Sequence, residues 1–284
     1  MPCVNLKSML KKAVDEGYSV PAFNIVNELT ARAIVKTSEA LRAPVILQTS
    51  VGTVKEIGPE SLIGFLRGLA ERAGVPVAIH LDHCTDVALA KKCVDLGWSS
   101  VMIDASREPL AENIRKTREV VLYASAGGVS VEGELGAIGG VEDHIAVSEE
   151  DARLASVEDS VTFVRETGVD AFAPAVGTAH GLYKAEPRLD FGRFERIRRS
   201  VDVPLVVHGG TGLSDEAFHR FVSLGASKIN ISTALKAAYL GALRAFFEQN
   251  PDCGNPLKAD ASAYARVAEL CETFVRLFSA AGRV

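Results

Sequence analysis

This sequence predicts a closed (β/α)8 barrel with a helix before it and a helical extension after it. Three observations carry that expectation. Eight short apolar runs recur along the chain, and an amphipathic segment follows each. The 284 residues suit one such unit, and no linker or change of composition divides them, so 1–284 is read as a single domain. Strands alternating with helical crossovers pair in parallel. An open doubly wound sheet is the second architecture this alternation allows.

Residues 5–17 read as a capped helix covering one end, with Asn5 at the start, Leu6, Met9, Leu10 and Val14 at helical spacing, and Gly17 as the stop. The repeat then begins: strand Val20–Asn24 and helix Glu28–Leu41, strand Pro44–Thr49 and helix Pro59–Ala73, strand Pro76–Leu81 and helix Val87–Leu96. Ser99–Asp104 precedes helix Leu110–Ala126, and Val129–Leu135 precedes a long polar segment and helix Val157–Thr167. Ala171–Val176, Val203–Val207 and Lys228–Ile231 are the last three strands, followed by helices Phe191–Arg199, Asp215–Leu224 and Thr233–Gln249. Beyond the eightfold count, Tyr264–Phe278 is amphipathic and is read as a cap or a subunit contact. Gly136–Leu154 is the one long stretch without a clear pattern; a loop of that length in a compact barrel is usually functional, often a lid.

A hydrophobic content of 48% is ample for a large core, and a net charge of −5 argues against a nucleic-acid footprint. No run of about 18 apolar residues suggests a membrane span. Met1-Pro-Cys-Val-Asn5 shows no basic-then-apolar signal pattern, and the five cysteines are scattered without paired spacing, so a reducing cytoplasm is expected.

Chemistry gathers where the apolar runs end. Val77-Ala-Ile-His-Leu-Asp-His83 is an apolar strand closed by a carboxylate and an imidazole, and such groups are costly to bury unless something uses them. Two further runs end in His180 and His208. In a barrel the carboxyl ends of the strands share one face, where sites form. That face would also hold Asn24, Thr49, Ser50, Asp104, Glu132, Glu134, and Asn230 to Thr233. One strand-end histidine alone would be read as structural; His83, His180 and His208 together are read as an open zinc site, with Asp82 beside it to move a proton. His80, two residues before Asp82, points the same way and reads as a core or supporting residue, and His144 and His219 as structural or solvated. Gly181 with Lys184, and Gly209, Gly210 and Thr211, lie in glycine-rich turns directly after candidate ligands; these suit an anion, although Gly-Gly-Thr-Gly is equally a tight turn. Lys228 is the competing candidate for a Schiff-base route, which would leave the three histidines unexplained.

Taken together, His80-Leu-Asp-His83, Glu132-Gly-Glu-Leu-Gly136 with Gly139-Gly140 and Glu142-Asp143, His180-Gly-Leu-Tyr-Lys184, His208-Gly-Gly-Thr-Gly212 and Lys228-Ile-Asn-Ile231 resemble the class II, zinc-dependent ketose-bisphosphate aldolases, nearest the tagatose-bisphosphate branch. Pro21-Ala-Phe-Asn24 and Leu277-Phe-Ser-Ala-Ala-Gly-Arg283 fit as well, so the similarity runs nearly end to end. The resemblance implies a TIM-barrel lyase that yields dihydroxyacetone phosphate. It implies Zn²⁺ on His83, His180 and His208, with Asp82 as acid/base and Glu142 exchanging the proton next to the carbonyl. It implies a second divalent metal near Asp104 and Glu134 in some members, or a monovalent cation (Na⁺ or K⁺). The phosphate site would be Gly181, Gly209, Gly210, Thr211, Asn230, Ile231, Ser232 and Thr233, with Asn24 and Ser50 near the enediolate and second phosphate. A homodimer or homotetramer is also implied.

Two departures bear on the substrate. Where the family often has Asp-Pro-Arg, this chain has Asn255-Pro-Leu257, and Ser232 stands where fructose-type members usually have an acid. A ketose 1-phosphate lacking the distal phosphate is therefore an alternative substrate. A non-catalytic barrel partner of an aldolase, or a zinc barrel of another reaction class, are alternative functions.

Overall fold

The computed structural model describes residues 3–142, 145–147, 153–181 and 187–284, with backbone alone for 141, 142 and 145–147. Helix α1 (Leu6–Glu16) is capped by the Asn5 side chain and stopped by Gly17 in the left-handed region. It packs on the strands at the amino end of the barrel, where Val4 N donates to the carbonyl of Val77.

The eight barrel strands are β1 (Val20–Asn24), β2 (Val45–Ser50), β3 (Val77–Cys84), β4 (Ser100–Ile103), β5 (Ser130–Leu135), β8 (Ala171–Pro174), β10 (Leu205–Val207) and β11 (Ala226–Ile231). They run in that order round a closed barrel, all pairs parallel. Pairing of Val20 with Lys228 closes the ring and rules out the open sheet. The jacket is α2 (Glu28–Ala40), α4 (Pro59–Arg72), α5 (Val87–Leu96), α6 (Leu110–Ser125), α7 (Val157–Thr167), α8 (Phe191–Ser200), α9 (Asp215–Ser223) and α10 (Thr233–Gln249). Most of them bury an apolar stripe towards the barrel, as an amphipathic helix requires, whereas α10 buries only Leu235 and packs mainly on the helix that follows it. No helix among the described residues is long and apolar enough to cross a membrane.

Four features differ from the sequence expectation. A short helix, α3 (Val51–Ile57), starts directly after β2 on the Ser50 cap. The final helix, α11, runs Pro256–Leu277, begins earlier than expected, and packs on α10 and α2. The patternless stretch contains β6 (Gly139–Glu142) and β7 (Ile145–Val147), an antiparallel pair. The sixth barrel strand ends at Pro174, so His180 stands not at its tip but on a separate strand, β9 (Ala179–His180), which pairs with β6.

The barrel interior is polar towards its carboxyl end. Branched apolar side chains usually fill such barrels; here Asn24, Gln48, His80, Asp82, Ser100, Glu132, Glu134, Lys228 and Asn230 occupy alternate strand positions and are buried. The one tryptophan, Trp98, is also fully buried, and its Nε1 donates to Thr49 Oγ1 at 2.9 Å, which in turn donates to the His80 carbonyl at 3.0 Å.

Candidate metal centre

In a regular strand, Asp82 and His83 would face opposite sides of the sheet. Strand β3 avoids this with a bulge. Leu81 pairs with Val101 but Cys84 with Ile103, so β3 carries one extra residue against β4. His83 sits in that bulge with φ +46°, in the left-handed region that a residue with a Cβ rarely adopts. The strained backbone turns its ring inward beside Asp82. Sequence alone gives no sign of the bulge beyond the adjacency of two groups that both need the interior.

The rings of His83, His180 and His208 converge. The centroid of His83 lies 4.7 Å from that of His180 and 4.6 Å from that of His208, with 6.1 Å between the other two. One potential ligand atom from each lies within 4.8 Å of the others. Carboxylates back the cluster. Asp104 Oδ2 accepts from His83 Nδ1 at 2.8 Å, and its Oδ1 accepts from Ser106 N and Oγ. Glu134 Oε2 lies 3.0 Å from His208 Nδ1 and 4.0 Å from His83 Nδ1. The first of these contacts lacks the geometry of a hydrogen bond, which leaves both atoms buried without one. His83, Asp104 and Glu134 form a second group of potential ligands.

Burial drives the imidazoles of His180 and His208 well below the usual histidine range, and the charge of His83 adds to this. At His83 burial works the same way, but Asp82, Asp104 and Glu134 outweigh it and hold this ring well above its usual value. Asp82 is held low: burial opposes its charge, but His83 and Lys228 favour it more. Glu134 is raised, first by burial and then by Asp104. The pocket therefore favours positive charge among neutral nitrogen donors. A compact set of three imidazoles backed by carboxylates fits a divalent ion that takes nitrogen ligands, zinc above all.

Asp82 is aimed by amides. Asn24 Nδ2 donates to its Oδ2 at 2.7 Å and Asn230 Nδ2 to its Oδ1 at 3.3 Å, while Gln48 Nε2 holds Asn24 Oδ1 at 2.7 Å. Gln48 was not among the residues expected at the site. Ser50, by contrast, caps α3, accepting from Thr53 N at 3.2 Å. The two candidate phosphate segments do meet: Thr211 Oγ1 accepts from Ala234 N at 3.1 Å, at the start of α10, while Ser232 Oγ is buried without a hydrogen bond. Ile231 ends β11 and Thr233 opens α10. Gly209 has a structural reason of its own: at φ +69° it lies against β9, and a Cβ there would stand 2.5 Å from the Ala179 carbonyl oxygen. A Cβ at Gly210 would stand 2.7 Å from the Asn230 carbonyl oxygen. Gly181 follows directly on His180. Lys184 and His144 lie outside the described residues, and of Glu142 only the backbone is described, at the end of β6.

Lys228 and Glu132 are fully buried and face each other at 2.9 Å. Both Glu132 oxygens accept from Lys228 Nζ, so this amine is not poised as a nucleophile. Glu132 Oε1 also accepts from His208 Nε2 at 2.8 Å. His80 is a supporting residue, its Nδ1 2.9 Å from Ser100 Oγ. The five cysteines are all free.

The fold and site together are those of a closed parallel barrel with a candidate three-imidazole metal centre and a carboxylate at its carboxyl face. Residues 4–283 match the profile of the class-II fructose-bisphosphate aldolases, and the chain belongs to that family. It is 41% identical over 281 residues to the D-tagatose-1,6-bisphosphate aldolase subunit GatY of Klebsiella oxytoca, covering 99% of each chain. The crystal structure of the YdjI aldolase from Escherichia coli K12 is similar with a TM-score of 0.86 at 29% identity, over 99% of each chain. The fructose-bisphosphate aldolase (Fba) of Campylobacter jejuni shares the fold, with a TM-score of 0.83 at 23% identity over 100% of this chain and 97% of that one.

Proposed function

We propose that this aldolase is a zinc enzyme that reversibly cleaves a ketose 1,6-bisphosphate of the tagatose or fructose type, giving dihydroxyacetone phosphate and an aldehyde such as glyceraldehyde 3-phosphate. One observation carries the reading: three imidazoles with ligand atoms within 4.8 Å of one another, next to an amide-aimed carboxylate. His83, His180 and His208 would hold the ion. Bound there, zinc supplies electrophilic stabilisation of the negative charge that builds on the ketose fragment.

The chain's own groups account for the proton traffic and the binding. Asp82, held ionised between Asn24 and Asn230, takes the C4 hydroxyl proton as the C3–C4 bond breaks. Glu142 serves the proton at the carbon next to the carbonyl. The first turn of α10, with Asn230, Ile231, Ser232 and Thr233 leading into it, combines with Gly209, Gly210 and Thr211 to cradle one phosphate, where a helix amino terminus favours an anion. Gly181 and Lys184 are the further candidates for that site, and Ser50 is the candidate for the second phosphate. Asp104 and Glu134 are the candidates for a second divalent ion, and a monovalent cation (Na⁺ or K⁺) would serve the phosphate site. The chain acts as one domain in a homodimer or homotetramer, in the cytoplasm, with no nucleic-acid or membrane partner.

Dialysis against a chelator, or His83→Ala, is expected to abolish release of dihydroxyacetone phosphate, with zinc restoring the dialysed protein alone; cleavage that survives chelation would refute the reading. Asp82→Asn is expected to keep its zinc and lose about 10²–10⁴-fold in kcat. A second substrate reading is favoured by Leu257, which is 72% exposed where the family often carries a phosphate-binding arginine. A panel of ketose mono- and bisphosphates, read by coupled detection of triose phosphate, separates the two.

A further inference from the structure

We infer that Glu132, balanced by Lys228, is a positioning residue for His208: it holds the proton on Nε2 and so presents Nδ1 to the ion. The inference rests on the zinc reading above and extends it to groups deep in the barrel that touch neither substrate nor ion.

The three residues come from separate strands. Glu132 stands on β5, Lys228 on β11, and His208 directly follows β10. Glu132 Oε1 lies 2.8 Å from His208 Nε2. Lys228 Nζ donates to both carboxylate oxygens, at 3.2 and 2.9 Å. An ionised carboxylate only accepts, so His208 Nε2 is the donor. The remaining nitrogen, Nδ1, then carries the lone pair, and it faces the centre beside Glu134. Without such a partner a neutral imidazole could protonate either nitrogen, and half of the choices would turn an N–H towards the ion.

Lys228 makes the arrangement tenable. All the side chains in this contact are 0% exposed. A carboxylate buried there without a counter-charge would be strongly disfavoured. With Lys228 Nζ on its other side, the Glu132 carboxylate has a counter-charge and can accept from both neighbours. His80 completes the enclosure. Its Nδ1 is tied to Ser100 Oγ, and its Nε2 stands 3.6 Å from Glu132 Oε2, which limits where the carboxylate can swing.

A merely structural ion pair joining two strands would predict something else. Any replacement that preserves packing and removes both charges together would then leave ion binding intact. The positioning role predicts that such a replacement folds and still binds zinc poorly.

The direct measurement is the nitrogen-15 spectrum of the wild-type chain, labelled at histidine and loaded with zinc. His208 is expected to show a protonated Nε2 and a metal-shifted Nδ1; a metal-shifted Nε2 would overturn the inference while leaving the zinc reading intact. Variants add a second line. Glu132→Leu/Lys228→Met is expected to lose about 10–100-fold in zinc affinity, measured on the metal-free protein by competition with a chromophoric chelator. Glu132→Gln/Lys228→Met, which keeps an acceptor for His208 Nε2, is expected to recover part of that loss. Both pairs binding zinc within threefold of wild type, or both binding equally weakly, would count against the idea. Should the leucine pair fail to fold, the spectrum of the wild type still decides. A wild-type chain that takes up no zinc would sink the metal reading and this inference with it.

Discussion

Strands β3 and β9 deliver imidazoles to the same centre by opposite means. Strand β3 has eight residues, all buried, and is paired on both sides within the barrel. Strand β9 has two residues and pairs with β6 in a small three-stranded sheet. On β3 the unusual backbone belongs to the candidate ligand itself, His83 at φ +46°. On β9 it belongs to the neighbours. Gly140 at φ +103° leaves no room for a Cβ against the His180 backbone, and Gly209 is also too tight for one against Ala179. A rigid wall can hold strain in a functional residue because the surrounding ladder over-determines it. A short appended strand instead needs partners without side chains.

This contrast can be broken most severely at Gly140. Gly140→Ala forces a Cβ into the His180 backbone in a conformation that L-residues rarely adopt. It is expected to lower zinc content and to reduce kcat/KM on the order of a hundredfold, the loss that a misplacement of about 1 Å produces. Unchanged zinc content in this variant would mean that β9 is not held by β6. Next in size is the response to metal removal. Zinc at about ten times its Kd adds about 1.4 kcal/mol to whatever region its binding orders. Amide exchange is therefore expected to speed up roughly tenfold across Ala179–His180 on chelation, and to change little across Val77–Leu81. Equal acceleration in both would erase the distinction.

A smaller effect tests the strain at His83. Both His83→Gly and His83→Ala remove the imidazole and its bond to Asp104, so their difference isolates the backbone. The glycine variant is expected to be the more stable by about 1 kcal/mol in chemical denaturation, because only alanine keeps a Cβ in the left-handed region. Smallest, and of opposite sign, is Gly64→Ala. Gly64 lies in α4, with no atom in the way of a Cβ and no unusual φ, so the exchange should stabilise by roughly 0.5–1 kcal/mol with activity untouched.

The barrel was legible because its signals are local. Each strand is a short apolar run, each jacket helix has a stripe at helical spacing, and Gly17, Gly97 and Gly168 stop helices as left-handed caps. The small sheet was not legible, because Gly139-Gly-Val-Glu142 has almost no alternation and its partner, Ala179–His180, lies some forty residues on. For the same reason the sequence reads His180 as the tip of a barrel strand. The helix Val51–Ile57 is too short to show a period of its own. At the centre, residue types at strand ends pointed to the three histidines and Asp82. The tie between Glu132 and Lys228 spans 96 positions and leaves no trace in either local pattern. Nor does the bulge that turns His83, which depends on how β3 registers with β4.

Trp98 gives the molecule an intrinsic optical gauge. Its indole is the only one in the chain, is fully buried, and is linked through the Thr49 hydroxyl to the backbone of β3 two residues before Asp82. Emission excited at the red edge therefore comes from one fluorophore in one environment. Any event that shifts the carboxyl end of β3 passes through two hydrogen bonds to reach it, and can be followed in the unlabelled protein in real time.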